Sequence, residues 1–445
     1  MDRSHAARKI TCTKQNSMFN LSIMKKLILT LAVLAAFICN AQPTLTIDSC
    51  YALARQQYPL IKQKGLIDKT KDYNVSNAGR GYLPQVNFNG QVTYQSAVTT
   101  IPLTGLPKPF NDISFPTPPK DQFNIHGEID QAIYDGGVIK QQKEVQVVNS
   151  GIQDQNIEVQ LYALRDRINQ IFFGALLINE QLKQNALTQK DIQSSIDNAQ
   201  AGVSNGTTLN SSLNELQAEL LQQQQNEVDL KASNKAYLDM LSLFINRTLD
   251  ENTVLATPHN VAVSDSIHRP EMSFYEFEKK NDDVQERLLD AGNLPKFSFF
   301  FQGGYALPGL NGFDVDAAPY YITGFRLSWN LGGYYTVKNQ KQLFEIDRQG
   351  IDIQKQDFVF NTRITLKQQS SDMIKLQQLI SKDNEIISKR TAVKEAAKAQ
   401  ADNGVITVHD YISQLDAEDQ AKQALLLHQV QLLMTEYEYQ NTSGN

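Results

Sequence analysis

Residues Gln85–Gln95 read QVNFNGQVTYQ, and their alternation has no break: Val86, Phe88, Gly90, Val92 and Tyr94 fall on one side, Gln85, Asn87, Asn89, Gln91, Thr93 and Gln95 on the other. Successive side chains of a strand point to opposite faces, so this is a strand with one apolar and one wet face. Three more segments repeat the pattern. Phe123, Ile125, Gly127, Ile129 and Ile133 alternate with Asn124, His126, Glu128 and Asp130; Phe297, Phe299, Phe301, Gly303 and Tyr305 form a third apolar face. Tyr321, Thr323, Phe325, Leu327, Trp329 and Leu331 form the fourth, with Arg326, Ser328 and Asn330 opposite. A soluble sandwich gives the same alternation. The charged and amide groups of the wet faces also suit a water-filled lumen, and Trp329, Tyr320, Tyr321, Tyr94 and Tyr134 sit at strand ends, where membrane barrels carry aromatic girdles. Four strands cannot close a barrel, since the smallest have about eight. Several chains must then share one, and three chains would give twelve strands.

The strands come in two pairs, and each pair precedes a long helical hairpin, so the chain reads as one unit used twice. Leu83-Pro84, Asp135-Gly136-Gly137 and Asn205-Gly206 mark the first copy; Leu294-Pro295, Leu331-Gly332-Gly333 and Asn403-Gly404 mark the second. After the Asn-Gly breaks, Thr208, Leu213, Leu216, Ala218 and Glu219 answer to Thr407, Ile412, Leu415, Ala417 and Glu418 at constant spacing. The expected organisation is an upstream extension and signal peptide over 1–41, a first repeat over 42–250, a linker or equatorial segment over 251–268, and a second repeat over 269–445.

The runs from about Gly137 to Val203 and from about Gly333 to Ala401 lack proline and nearly lack glycine, with apolar residues three and four apart. At 1.5 Å per residue each spans roughly 100 Å, far beyond an ordinary domain helix. Shorter runs are expected over about 209–246, 408–440, 48–78 and 270–291. Periodicity this long usually means coiled coil, so a filament or scaffold protein accounts for this portion alone; it does not account for the strands. Between the strands, Thr99–Lys120 holds six of the fourteen prolines and is expected to be a long irregular loop.

Lys25 and Lys26, the apolar run Leu27–Ile38 and the small-residue end at Ala41 have the order of a secretory signal. Its removal leaves 36 basic and 47 acidic residues, a net charge of −11 that argues against a nucleic-acid partner. Of Cys12, Cys39 and Cys50 only Cys50 would remain, and it reads as a small buried residue. No mature segment is apolar enough for a membrane helix, so membrane entry requires a barrel. No phosphate loop, paired-cysteine metal spacing or nucleophile elbow is present, and the six histidines are scattered. Neither enzyme activity nor a cofactor is expected. The Asn-Gly breaks tolerate a left-handed backbone that reverses a helix, and Thr407 is placed to cap the next helix with Asp410 three residues on.

Taken in order, several motifs resemble the outer-membrane efflux protein family, the TolC-like channels: Leu45-Thr46-Ile47-Asp48, Tyr58-Pro59, Gly81-Tyr82-Leu83-Pro84-Gln85, Gln131-Ala132-Ile133-Tyr134-Asp135-Gly136-Gly137, Leu327-Ser328-Trp329-Asn330-Leu331-Gly332-Gly333 and Asn403-Gly404. The resemblance covers nearly all of the mature chain. It implies a mainly α fold with a membrane β portion: a homotrimer sharing one twelve-stranded barrel in outer-membrane lipid, continued by a long periplasmic helical barrel. It implies an exit duct of a tripartite efflux or type I secretion system, with a periplasmic adaptor protein and an inner-membrane transporter as partners. Asn205, Gly206, Asn403 and Gly404 would be adaptor-contacting tips. Family channels narrow at the periplasmic end on aspartates of the second-copy tip. Asp410 matches the first of these by position, Ser413 stands where its partner would be, and Asp416 lies on a different face. A passive porin and a secreted coiled-coil scaffold are the competing readings.

Overall fold

The computed structural model describes residues 44–101, 107, 115–251, 253–259, 264–312 and 315–445. The signal-peptide expectation, most of the proline-rich segment and part of the expected linker lie outside them.

The alternating segments form strands β1 (Gln85–Tyr94), β2 (Asp121–Tyr134), β3 (Lys296–Leu307) and β4 (Ala318–Ser328) of one antiparallel sheet in chain order. One row across its apolar face runs Phe88, Gly127, Gly303, Tyr321, so small residues on the middle strands separate rings on the outer ones. Phe299 meets Phe325 edge-on at 5.7 Å, and Phe301 stacks on Tyr321 at 6.3 Å. No second layer covers this face: Phe88 is 79% exposed, Val92 81% and Phe325 78%. That removes the soluble sandwich, which would bury these side chains between two sheets. On the opposite face Arg326 reaches across Phe300 to Glu128 at 2.9 Å and Asp130 at 3.1 Å.

Two strand-end expectations change. The fourth alternation was expected to run to Leu331, but β4 stops at Ser328 and Leu331–Gly333 forms a 3-10 turn, with the Trp329 indole donating to the Asn293 carbonyl at 3.0 Å. Tyr320 was grouped with the girdle. Strand alternation gives it and Tyr321 opposite faces, and its hydroxyl bonds Asn124 on the wet side at 2.8 Å.

The helices are α1 (Ile47–Gln57), α2 (Ile61–Gly79), α3 (Val138–Tyr162), α4 (Leu164–Ser204), α5 (Asn210–Ile245), α6 (Pro270–Gly292), α7 (Tyr334–Asp402) and α8 (Val408–Ser443). The run expected over 48–78 is split at Tyr58–Leu60, because Pro59 supplies no N–H and disfavours helical geometry in the residue before it. The run expected from Gly137 loosens at Ala163, which keeps helical angles and still donates to Val159 at 3.2 Å; neither proline nor glycine announces it. α7 continues unbroken for 69 residues.

The chain divides into two compact units. One contains the sheet, α2, α3, α6 and α7 up to Ser371. Here Asp135 explains the start of α3: its carboxylate accepts the Gly137 and Ile139 backbone N–H groups at 2.9 and 2.6 Å. Val145 and Val148 of α3 pack on Val284 of α6, with Phe277 and Leu288 closing over them. The other unit contains α1, α4, α5 and the hairpin end of α7 and α8. Phe172, Phe173, Leu238 and Leu241 lie in its core, and Phe173 meets Tyr437 at 5.6 Å. Cys50 is fully buried there, its thiol pushed up to about 12 by desolvation and by Asp48.

Candidate functional site at the paired hairpin turns

Both long helices end alike. In α4 the N–H of Gly206 donates to Val203 at 3.0 Å and that of Thr207 to Gly202 at 2.9 Å; in α7 Gly404 donates to Ala401 at 3.0 Å and Val405 to Gln400 at 2.8 Å. This crossed pair is a Schellman closure. It sets φ at 73° for Gly206 and 70° for Gly404, a left-handed backbone that glycine adopts without a Cβ clash. The four residues Asn205, Gly206, Asn403 and Gly404 are therefore the turns of two exposed helical hairpins.

The helices that leave these turns start differently. The Thr407 backbone N–H donates to the Asp410 carboxylate at 3.0 Å, and the Asp410 N–H donates to the Thr407 hydroxyl at 3.1 Å, a reciprocal capping box. The Thr407 hydroxyl also donates to the carboxylate at 2.6 Å. These bonds, side-chain first and then backbone, hold the Asp410 carboxyl below the usual carboxylate range. At α5 the equivalent Leu209 has no side-chain cap. Asp410 and Ser413 are exposed, whereas Asp416 is half-buried, and burial with the nearby charges of Glu219 and Asp419 pushes its carboxyl up.

The two hairpins share a core near their turns. Ile192, Ile196 and Ala199 of α4 and Leu213 and Leu216 of α5 pack with Ala397 of α7 and Tyr411, Ile412 and Leu415 of α8. Polar contacts tie the same pieces: Ser195 to the Tyr411 hydroxyl at 3.3 Å, Thr188 to Asp419 at 2.7 Å, and His409 to Glu215 at 3.0 Å. Further in, Lys394 sits with a side chain 7% exposed between Glu418 at 3.0 Å and Asp191 at 3.1 Å. Glu418 is 2% exposed and also takes the Thr391 hydroxyl at 2.6 Å and Lys422 at 3.2 Å. Burial opposes the charge on Lys394, but the bonds from Glu418 and Asp191 outweigh it and its pKa is raised. Burial likewise opposes ionisation of Glu418, and its three hydrogen bonds win, so its carboxyl titrates low. Sequence reading missed this network. Its signal was a lysine three residues before Ala397, and a glutamate three residues after Leu415, both on otherwise apolar stripes.

A family model described as Outer membrane efflux protein matches residues 51–245, from α1 to the end of α5. The chain belongs to the outer membrane efflux protein family through that segment. No curated protein sequence matches it. Among solved structures it resembles the outer membrane protein VceC from Vibrio cholerae with TM-score 0.62 at 12% identity, over 90% of this chain and 96% of that one. It resembles the open-state MtrE outer membrane channel of Neisseria gonorrhoeae with TM-score 0.61 at 12% identity, over 90% and 89%. It resembles the Campylobacter jejuni CmeC outer membrane channel with TM-score 0.59 at 11% identity, over 89% and 85%. This efflux-family chain thus has the TolC-like fold along nearly its whole length, including the second repeat that the family model does not reach.

Proposed function

We propose that this chain is the exit duct of a tripartite efflux or type I secretion system, set in the outer membrane and passing small molecules or proteins delivered by an inner-membrane transporter through a periplasmic adaptor. The observation that carries the reading is the sheet: four strands with an uncovered apolar face, a polar opposite face, and unpaired edges at β1 and β4. In lipid an unpaired edge costs several kcal/mol per unsatisfied group, so only a closed barrel is stable. Three copies, each giving four strands, close one. A passive porin needs no helix of 69 residues, and a scaffold needs no membrane-facing sheet. The titles of the solved structures, which call MtrE and CmeC outer membrane channels, support the same reading.

In this reading Asn205, Gly206, Asn403 and Gly404 contact the adaptor, and Asp410 contributes to the pore constriction. Three symmetry-related carboxylates round a narrow axis favour cations and repel anions. The low-titrating carboxyl of Asp410 would keep that ring charged over the physiological range. Ser413 in place of a second aspartate leaves one acidic ring in each pore. Deleting the gene should abolish export of at least one compound without loss of any turnover, and restoring the full chain should recover it. Cysteines beside Gly206 and Gly404 should crosslink to adaptor hairpins in cells. Asp410→Ala should lower cation preference in planar bilayers. Retained export in the deletion strain would refute the duct, and unchanged ion selectivity would remove Asp410 from the constriction.

A further inference from the structure

Two apolar seams near the hairpin turns have no partner within the chain. On α7, Leu379, Ile386 and Val393 recur at seven-residue spacing and are 36%, 48% and 45% exposed. On α5, Leu221 and Val228, also seven apart, are 65% and 68% exposed. A seven-residue repeat is the period at which helices interlock side by side. The seams also stand at the same heights. Val393 precedes the end of α7 by nine residues and Leu221 follows the start of α5 by eleven, about 14 and about 17 Å at 1.5 Å per residue. Ile386 and Val228 lie at about 24 and about 27 Å by the same measure.

Their flanks are complementary. Beside Ile386 a groove of about 750 Å³ is lined by Asn384, Glu385, Ser388, Lys389 and Arg390, of which Lys389 and Arg390 have no partner among the described residues. Beside Val228 stands Asp229, exposed and also without a partner among the described residues. Both seams belong to the same compact unit, one on each repeat.

We propose that the α7 seam of one copy docks antiparallel on the α5 seam of the next, pairing Val393 with Leu221 and Ile386 with Val228, with Lys389 against Asp229. This rests on the shared-barrel reading and deepens it. A head-to-tail contact of two different surfaces must propagate until it closes. The sheet poses the same requirement, since its free edges are β1 of the first repeat and β4 of the second. First-repeat elements of each copy therefore meet second-repeat elements of its neighbour at both levels of the ring.

The test uses the full-length protein in outer-membrane vesicles. The pairs Ile386→Cys with Val228→Cys, and Val393→Cys with Leu221→Cys, are oxidised and run on non-reducing gels. Buried Cys50, its thiol held at about 12, stays out of the reaction. Each pair should give covalent dimers and trimers, and each single variant only monomers. The mismatched pair Val393→Cys with Val228→Cys stands more than 7 Å out of level, beyond disulfide reach, and should give at least tenfold less product. The native mass of the unoxidised variants, measured in parallel, separates the two ideas. A three-copy particle without crosslinks would overturn the seam and leave the shared barrel standing. A disulfide that stays within one chain would likewise overturn the seam. A one-copy particle would overturn both.

Discussion

Replacing Lys394 by alanine removes the only cation within reach of both Glu418 and Asp191 and leaves Glu418, 2% exposed, with Thr391 and the flexible Lys422 as its remaining partners. Removing one member of a buried pair costs about 3–5 kcal/mol, because the other charge stays desolvated. Lys422 is 30% exposed and already bonded, so it offsets part of this and the expectation lies at the lower end, about 3 kcal/mol. Removing both charges with a well-packed apolar pair is often neutral, so Lys394→Met with Glu418→Leu should recover most of the loss. Asp191 is 47% exposed, and Asp191→Asn should cost about 1 kcal/mol or less. The assay is urea unfolding of the detergent-solubilised protein followed by circular dichroism, with the four variants forming a double-mutant cycle. A Lys394→Ala cost below about 1 kcal/mol would refute the reasoning, as would a double variant that loses as much as the two singles together.

Other outcomes follow from the same structure. Gly404→Ala places a Cβ on a backbone at φ 70° and should destabilise the hairpin by about 1–2 kcal/mol, as should Gly206→Ala at φ 73°, measured by hydrogen exchange at the turns. Thr407→Ala removes a cap and should cost about 0.5–2 kcal/mol, whereas Leu209→Ala, where no side-chain cap exists, should leave the start of α5 unchanged by the same measure. Because the Asp410 carboxyl is depressed in the folded state, its contribution is present above the unfolded pKa and lost as pH falls through the folded one; Asp410→Asn should flatten that acid limb. Glu278 and Asp282 behave oppositely. Burial raises both carboxyls, and Glu278 Oε2 and Asp282 Oδ2 have no hydrogen-bond partner, so stability should fall as pH rises from the usual carboxylate range through their raised values. Glu278→Gln should then raise the melting temperature at neutral pH and leave it unchanged at low pH.

Much of the architecture was legible because it rests on periodicity. The alternation in Gln85–Gln95 determined a strand and its two faces, and the Asn-Gly pairs marked both turns. What escaped depends on local detail or distant partners. The strand β4 ends before Trp329 because that indole is drawn to a backbone carbonyl outside the sheet. The loosening at Ala163 has no glycine or proline behind it. The Lys394 network joins residues more than two hundred positions apart, as with Asp191, and a single sequence gives no measure of such pairing. The capping role of Asp410 was readable from its spacing to Thr407, since a capping box is local.

The central claim is that several copies of this chain close one barrel in the outer membrane. It is tested most directly by native mass measurement of the particle extracted in mild detergent from washed outer membranes. The account expects the chain in that fraction, as particles of three copies that fall to single chains only on heating. A chain recovered in the soluble periplasmic fraction, or an unheated outer-membrane particle of one copy, would contradict it.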